Sequence, residues 1–259
     1  MNVTTAGSDA DEASRAWFAG IGLLARGVPG MYEKPGRAGV VALVSGIPLP
    51  TLNGIFAETA HPDVAEVATF ADDLKGLGVP WCMRLRGEPD PEVERVASAH
   101  GLRHREFHPL MLRRGELRPK AQEQAARRVR VMRPGEREEY AAAMAAGFGA
   151  PPEVMAPLSS PEVFAVPGVV AYVAEDDGQI AAVGMGISAG EAVGVFNIAT
   201  VPGQRGRGYG RAVTERIVAD GIARGARLAY LTSSEAGFDL YRSMGFRTVE
   251  RWVYLVPGE

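Results

Sequence analysis

The stretch Asn197-Ile-Ala-Thr-Val-Pro-Gly-Gln-Arg-Gly-Arg-Gly-Tyr-Gly-Arg211 decides how this chain is read. A strand-like apolar run over 192–201 stops at Pro202-Gly203, and a helical pattern begins near Gly208. Between them Gly206, Gly208 and Gly210 fall at every second position, so successive backbone N–H groups can converge without interference from Cβ atoms. Placed at a helix N-terminus, those amides and the helix dipole make a site for an anion. Arg205, Arg207 and Arg211 add positive charge around the turn, and the ligand that suits it is a phosphate or pyrophosphate. A Walker loop needs a lysine that this segment lacks, and GxGxxG is out of register from Gly206 and from Gly208.

Working outward, Val213, Ile217, Val218 and Ile222 span about half the circumference of a helix over 208–224, as suits a helix lying on a sheet. A strand over 227–232, a short helix over 235–243 and a final strand over 246–256 follow. Upstream, 129–132 reads as a strand and Pro134 opens a helix. A second helix over 152–165 is interrupted by Pro157 and by Ser159-Ser-Pro161. Strands over 169–174 and 180–187 flank the hairpin turn signal Glu175-Asp-Asp-Gly178. The order β-α-α-β-β-β-α-β-α-β predicts a mixed α/β fold.

The spacing Arg-x-x-Gly-x-Gly, between a strand and a helix, resembles the acyl-CoA pyrophosphate loop of the GNAT superfamily of N-acyltransferases. The segment Ser233-Ser-Glu-Ala-Gly-Phe-Asp-Leu-Tyr-Arg-Ser-Met-Gly-Phe246 resembles that family's last helix, and the likeness runs over about 128–256. It implies acetyl-CoA as co-substrate and no metal. The pyrophosphate would lie on Arg205, Gly206, Arg207, Gly208, Tyr209, Gly210 and Arg211, and the pantetheine arm on a splayed strand at Ile198, Ala199 and Thr200. Ser234 falls where the family often has a cofactor-contacting Asn, and Tyr241 where a tyrosine usually protonates the leaving thiolate. Read by itself, Tyr241 is also a fair core aromatic beside Phe238, Leu240 and Met244.

The implied reaction is direct attack of a primary amine on the thioester through a tetrahedral intermediate. The loop and strand would position the thioester, a backbone N–H at Ala199 or Thr200 would meet the oxyanion, and Tyr241 would supply the proton. The incoming ammonium must also lose a proton. All four histidines (His61, His100, His104 and His108) precede residue 120, and Ala229 stands where some relatives carry a Glu. The base is left to a carboxylate such as Glu175 or Glu191, to a water chain, or to a group lent by the other half. The acceptor, a small molecule or a peptide amine, is not specified. A non-catalytic acyl-CoA-binding sensor is the alternative reading.

The first half carries a faint echo of the second. The segments 97–103 and 241–247 align at an offset of 144, as do 52–56 and 196–200, and 72–78 parallels 219–225 at 147. The expectation is a tandem arrangement: 1–120, a degenerate GNAT-like copy without the cofactor loop, and 121–259, the acyl-CoA-binding copy. A joint is expected near 120–127, within the charged stretch 113–130. In place of the glycine turn the first half has Ala57-Glu-Thr-Ala-His-Pro-Asp-Val64, and Ala97 stands where Tyr241 does.

The bulk properties set limits. At 259 residues with 46% hydrophobic and 23% charged, the chain suits one large or two ordinary domains. Its net charge of −3 excludes a generally basic nucleic-acid binder, although 25 of its 28 basic residues are arginine. One cysteine, Cys82, precludes an intramolecular disulfide and reads as buried. His100, His104 and His108 recur every four residues, but Gly101 and Pro109 interrupt any helix that would align them on a metal. The polar, acidic first 18 residues and the short apolar runs predict a cytoplasmic monomer or homodimer without membrane or nucleic-acid partners.

Overall fold

The computed structural model describes residues 3–115 and 129–258, with side chains from residue 9; the expected joint at 120–127 lies outside them. Strands β1 (Tyr32–Pro35), β2 (Val40–Val44), β3 (Asn53–Ala57), β4 (Cys82–Arg86) and β5 (Leu102–Arg114) come from the first half. The second supplies β6 (Val129–Val131), β7 (Val169–Asp176), β8 (Gln179–Ala189), β9 (Ala192–Thr200), β10 (Leu228–Thr232) and β11 (Arg247–Pro257). The helices are α1 (Val3–Gly27), α2 (Val64–Leu74), α3 (Pro91–Ala99), α4 (Arg137–Phe148), α5 (Pro152–Met155), α6 (Pro161–Ala165), α7 (Tyr209–Ala223) and α8 (Glu235–Ser243). The mixed α/β expectation holds, and the interruptions foreseen at Pro157 and Pro161 divide α5 from α6. Asp177 (φ 48°) and Gly178 (φ 81°) make the two-residue β7–β8 turn, with both residues left-handed as such a turn requires. None of the described helices is long and apolar enough to cross a membrane.

Among the described residues, eleven strands form one sheet in the order β1-β2-β3-β4-β11-β5-β10-β9-β8-β7-β6. The centre of that order is unexpected from sequence. The last strand of the first half, β5, pairs with β10 of the second, and the last strand of the second, β11, pairs with β4 of the first. The exchanged strands pair with each other from Arg247↔Leu112 to Pro257↔Leu102, so neither half completes its own sheet. The element pattern is the same on both sides. An antiparallel pair leads to a parallel pair (β3 with β4, β9 with β10), and two helices flank the second strand of each parallel pair. Adding 144 to the bounds of α3 (91 and 99) gives those of α8 (235 and 243).

One face of the sheet carries α1 and α4 to α6 over a core that includes Trp17, Phe56, Leu110, Tyr140, Tyr230 and Trp252. The other face carries α2 and α3 over the first half, and α7 and α8 over the second. Helix α1 crosses the exchanged strands, where Asp9 pairs with Arg114 of β5 and with Arg247 of β11. Beneath α1 the fully buried Arg84 stacks on Trp17 (4.1 Å) and Trp252 (3.8 Å), and burial lowers its guanidinium pKa to about 10. Cys82 is buried as expected, and burial pushes its thiol pKa up.

Candidate functional site

The parallel pairing of β9 with β10 covers Ala192↔Leu228 to Gly194↔Tyr230 and stops there. Strand β9 then runs six residues further, to Thr200, with β8 on one side and an open edge on the other. A bulge accompanies the departure: Phe196 faces Met185 and Ala199 faces Val183, with the extra residue taken up at Asn197-Ile198. Asn197 sits at φ 52°, which asparagine tolerates better than most residues, and its side-chain amide nitrogen is buried without a partner. The Val201 N–H donates to the Ala181 carbonyl at 3.0 Å. Alternation along an antiparallel strand turns the Ala199 N–H the same way and sends that of Thr200 to the open edge.

Past Thr200 the chain makes one turn of 3-10 helix (Pro202–Gln204) and reaches the glycines. Gly206 (φ 76°) and Gly208 (φ 85°) are both left-handed, which is why these positions take glycine. Gly208 caps α7 with no side-chain hydrogen bond, so the first amides of a fifteen-residue helix are left to a ligand or to water. Ile198, Ala199, Thr200, Arg205, Gly206, Gly208, Tyr209, Gly210, Arg211, Ser234 and Tyr241 all line a single cleft of about 570 Å3.

Arg207 is the exception among the residues singled out from sequence. Its guanidinium is held by Asp176 at 2.7 Å and by Gln204, and it does not line the cleft. Arg205 donates to the Gly147 carbonyl at 2.8 Å, and Arg211 is held by Ser243 and, at 3.8 Å, by Glu215. Tyr241 stands edge-on to Phe246 with ring centroids 6.1 Å apart. Burial pushes its hydroxyl pKa up to about 12. Tyr241 packs against the core cluster on this face of the sheet and also lines the cleft.

Sequence reasoning missed Gly147 and Phe148, the wall supplied by the end of α4. A Cβ on Gly147 would come within 2.7 Å of the Ala199 Cβ and 3.1 Å of the Thr200 nitrogen, so glycine lets α4 close on β9. It also missed Gly237, where a Cβ would meet the Tyr241 ring at 2.9 Å. Neither position carries a local signal, because the reason for each glycine lies in another element.

Among the described residues, the corresponding turn of the first half is built differently. Strand β3 runs only one residue past its last pairing with β4, Phe56↔Arg84. Helix α2 is capped by its own Asp63, whose carboxylate accepts from the Glu66 N–H at 2.8 Å, and the Glu66 carboxylate accepts from Ala38 at 2.8 Å. Two carboxylates thus stand where the second half presents free amides.

The sequence matches the family model described as "Acetyltransferase (GNAT) domain" over residues 167–248. No curated protein matches it. Among solved structures, a GCN5-related N-acetyltransferase from Kribbella flavida is similar over 95% of this chain and 96% of its own, at 22% identity and a TM-score of 0.66. A second, from Sphaerobacter thermophilus, is similar over 86% of this chain and 82% of its own, at 17% identity and TM-score 0.58. A functionally unknown conserved protein from Staphylococcus epidermidis is similar over 88% and 94%, at 12% identity and TM-score 0.62. These likenesses extend the shared fold over both halves of the chain. The family match runs from the start of β7 to the start of β11, so the region 167–248 of this protein is a GNAT acetyltransferase domain.

Proposed function

We propose that the protein moves an acetyl group from acetyl-CoA to a primary amine by direct attack on the thioester. The observation that carries this reading is the single cleft joining three parts: the uncapped N-terminus of α7, the free edge of β9 and Tyr241. The α7 amides with Arg205 and Arg211 suit the pyrophosphate. The free edge of β9 suits the pantetheine arm, and the Thr200 N–H suits the oxyanion. Tyr241, protonated across the physiological range, suits the leaving thiolate. The first half, 1–120, serves in this reading as a GNAT-like copy without a cofactor loop, and 121–259 as the copy that binds acyl-CoA. The carboxylates of Asp63 and Glu66 at α2 support that assignment.

Acetyl-CoA is expected to raise the melting temperature, and AMP to leave it unchanged. At a hundred times Kd, a ligand that binds only the folded state adds about 2.7 kcal/mol. Release of free thiol with a panel of primary amines then tests transfer. Absence of any shift with acetyl-CoA removes the reading.

A further inference from the structure

The carboxylates open to the second half from sequence are engaged elsewhere. Glu175 is held by Arg130 of the outer strand β6, and Glu191 pairs with Arg227 at 3.0 Å in the turn before β9, at the end of that strand away from Thr200. The exchanged strand supplies a different candidate. Pairing of β5 with β10 ends at Leu110↔Thr232, but β5 continues through His104–Pro109 beyond the end of β10. There it keeps β11 on one side and loses its strand partner on the other, apart from one bond from the Ser233 N–H to the Pro109 carbonyl at 3.1 Å. This segment therefore stands where β9 and β10 have parted.

A cavity of about 740 Å3 lies between it and α8, lined by His104, Glu106 and His108 and, across from them, by Ser234, Glu235 and Asp239. Ser234 is also a wall of the cofactor cleft, so the two spaces adjoin. The lining is acidic, since Arg105 at its edge is taken by Glu88 (2.7 Å) and Glu94. His108 is partly buried and its Nε2 lies 3.1 Å from Glu106 Oε2. A carboxylate there makes Nε2 the proton-bearing nitrogen and leaves the Nδ1 lone pair free to accept. Tyr254 of β11 stands beside the ring, with ring centroids 4.6 Å apart, and the charged and titratable groups lining the cavity with His108 are His104, Arg105 and Glu106 of β5 and Glu235 and Asp239 of α8. Asp239 is tied to Arg242 at 2.9 Å.

We propose that this cavity receives the amine acceptor as its ammonium and that His108, on a strand lent by the first half, takes the proton the ammonium must lose. The inference rests on the acetyl-transfer reading above. His108 accepts one proton, and the freed lone pair forms the N–C bond at the thioester carbonyl carbon. Collapse breaks the C–S bond, and Tyr241 passes a proton to the thiolate. The nitrogen's second proton, released as the amide forms, balances the one Tyr241 gave, so one proton per turnover goes to solvent. The acidic lining favours the cationic form of the acceptor, and Glu106 orients the ring.

The test uses the full chain with His108→Gln and Glu106→Gln, an amine that the wild type acetylates, and acetyl-CoA stabilisation as the control. Removing a general base costs about 10²-fold to 10⁴-fold. His108→Gln is expected to lower kcat/KM about 100-fold at pH 7, with the acetyl-CoA melting shift kept. The deficit narrows towards pH 9.5, where more of the amine is already deprotonated. Glu106→Gln is expected to lower kcat about tenfold while leaving the KM for acetyl-CoA unchanged. A wild-type rate and pH profile in His108→Gln overturns the assignment while leaving acetyl transfer standing. Loss of the acetyl-CoA shift in both variants makes the dyad structural and also overturns it. A wild type that binds acetyl-CoA but acetylates no amine in the panel overturns this inference and the proposed reaction together.

Discussion

The role proposed for Tyr241 depends on where its ring is buried. Desolvation disfavours the phenolate, so the hydroxyl pKa moves from an ordinary value of about 10 up to about 12. The sign matters for rate: a group that must donate a proton is lost as pH rises through its folded-state pKa, and burial moves that loss upward. Tyr241→Phe is expected to lower kcat about 100-fold, with a much smaller change in KM for acetyl-CoA. No alkaline limb from Tyr241 is expected below about pH 11, because burial moves its hydroxyl pKa up to about 12. A limb near pH 8 in wild-type kcat that disappears in Tyr241→Phe would show that a differently poised hydroxyl is at work. The residue scale is also where the sequence was most legible. Gly206 and Gly208 announce left-handed backbone by being glycine, and the structure puts both at positive φ. Arg207 was not legible, because the partner that draws it away, Asp176, lies 31 positions distant at the end of β7.

At the scale of elements, helix α7 and strand β9 act as one device. The helix presents unspent amides only because Gly208 ends the turn in a conformation with no side chain to cap it. Gly208→Ala tests this economically. A Cβ there meets nothing within 4 Å, so steric blockage is not at issue. What changes is backbone strain at φ 85°, worth about 1–2 kcal/mol in this region for a non-glycine residue. The variant is expected to melt a few degrees lower and to bind acetyl-CoA more weakly, measured by calorimetry, since relaxing the strain turns the amides out of line. Unchanged affinity would show that the turn does not hold the cofactor. Helix and strand bounds in this region could be read from sequence because propensity, glycines and prolines act locally. The parting of β9 from β10 could not be, because nothing within β9 distinguishes its paired residues from its free ones. It follows from the bulge at Asn197-Ile198 and from α4 closing on β9 at Gly147.

For the whole molecule, the exchange of β5 and β11 governs stability and function together. The faint repeat at an offset of 144 reveals that two copies of one pattern are present, but not that they trade their last strands. An exchanged strand keeps the same hydrophobic alternation as one that stays home, so periodicity is silent on the matter. The consequence is physical. Residues 121–259 alone would leave β10 with an unpaired edge along 228–232 and β11 without either neighbour, β4 or β5. They would also lose α1, whose Asp9 and Trp17 rest on β5 and β11. An open, apolar sheet edge of that kind associates rather than remains free. Either half expressed by itself is therefore expected to be insoluble or unfolded by circular dichroism. The two halves, 1–120 and 121–259, co-expressed as separate chains, are expected to co-purify as a one-to-one complex that acetyl-CoA stabilises. Recovery of 121–259 alone as a folded monomer with full affinity for acetyl-CoA would mean that β11 can take the place of β5 beside β10. In that event the first half would not be needed to complete the sheet. With the exchange in force, the first half keeps its place whatever it binds, because the second half's sheet cannot close without it.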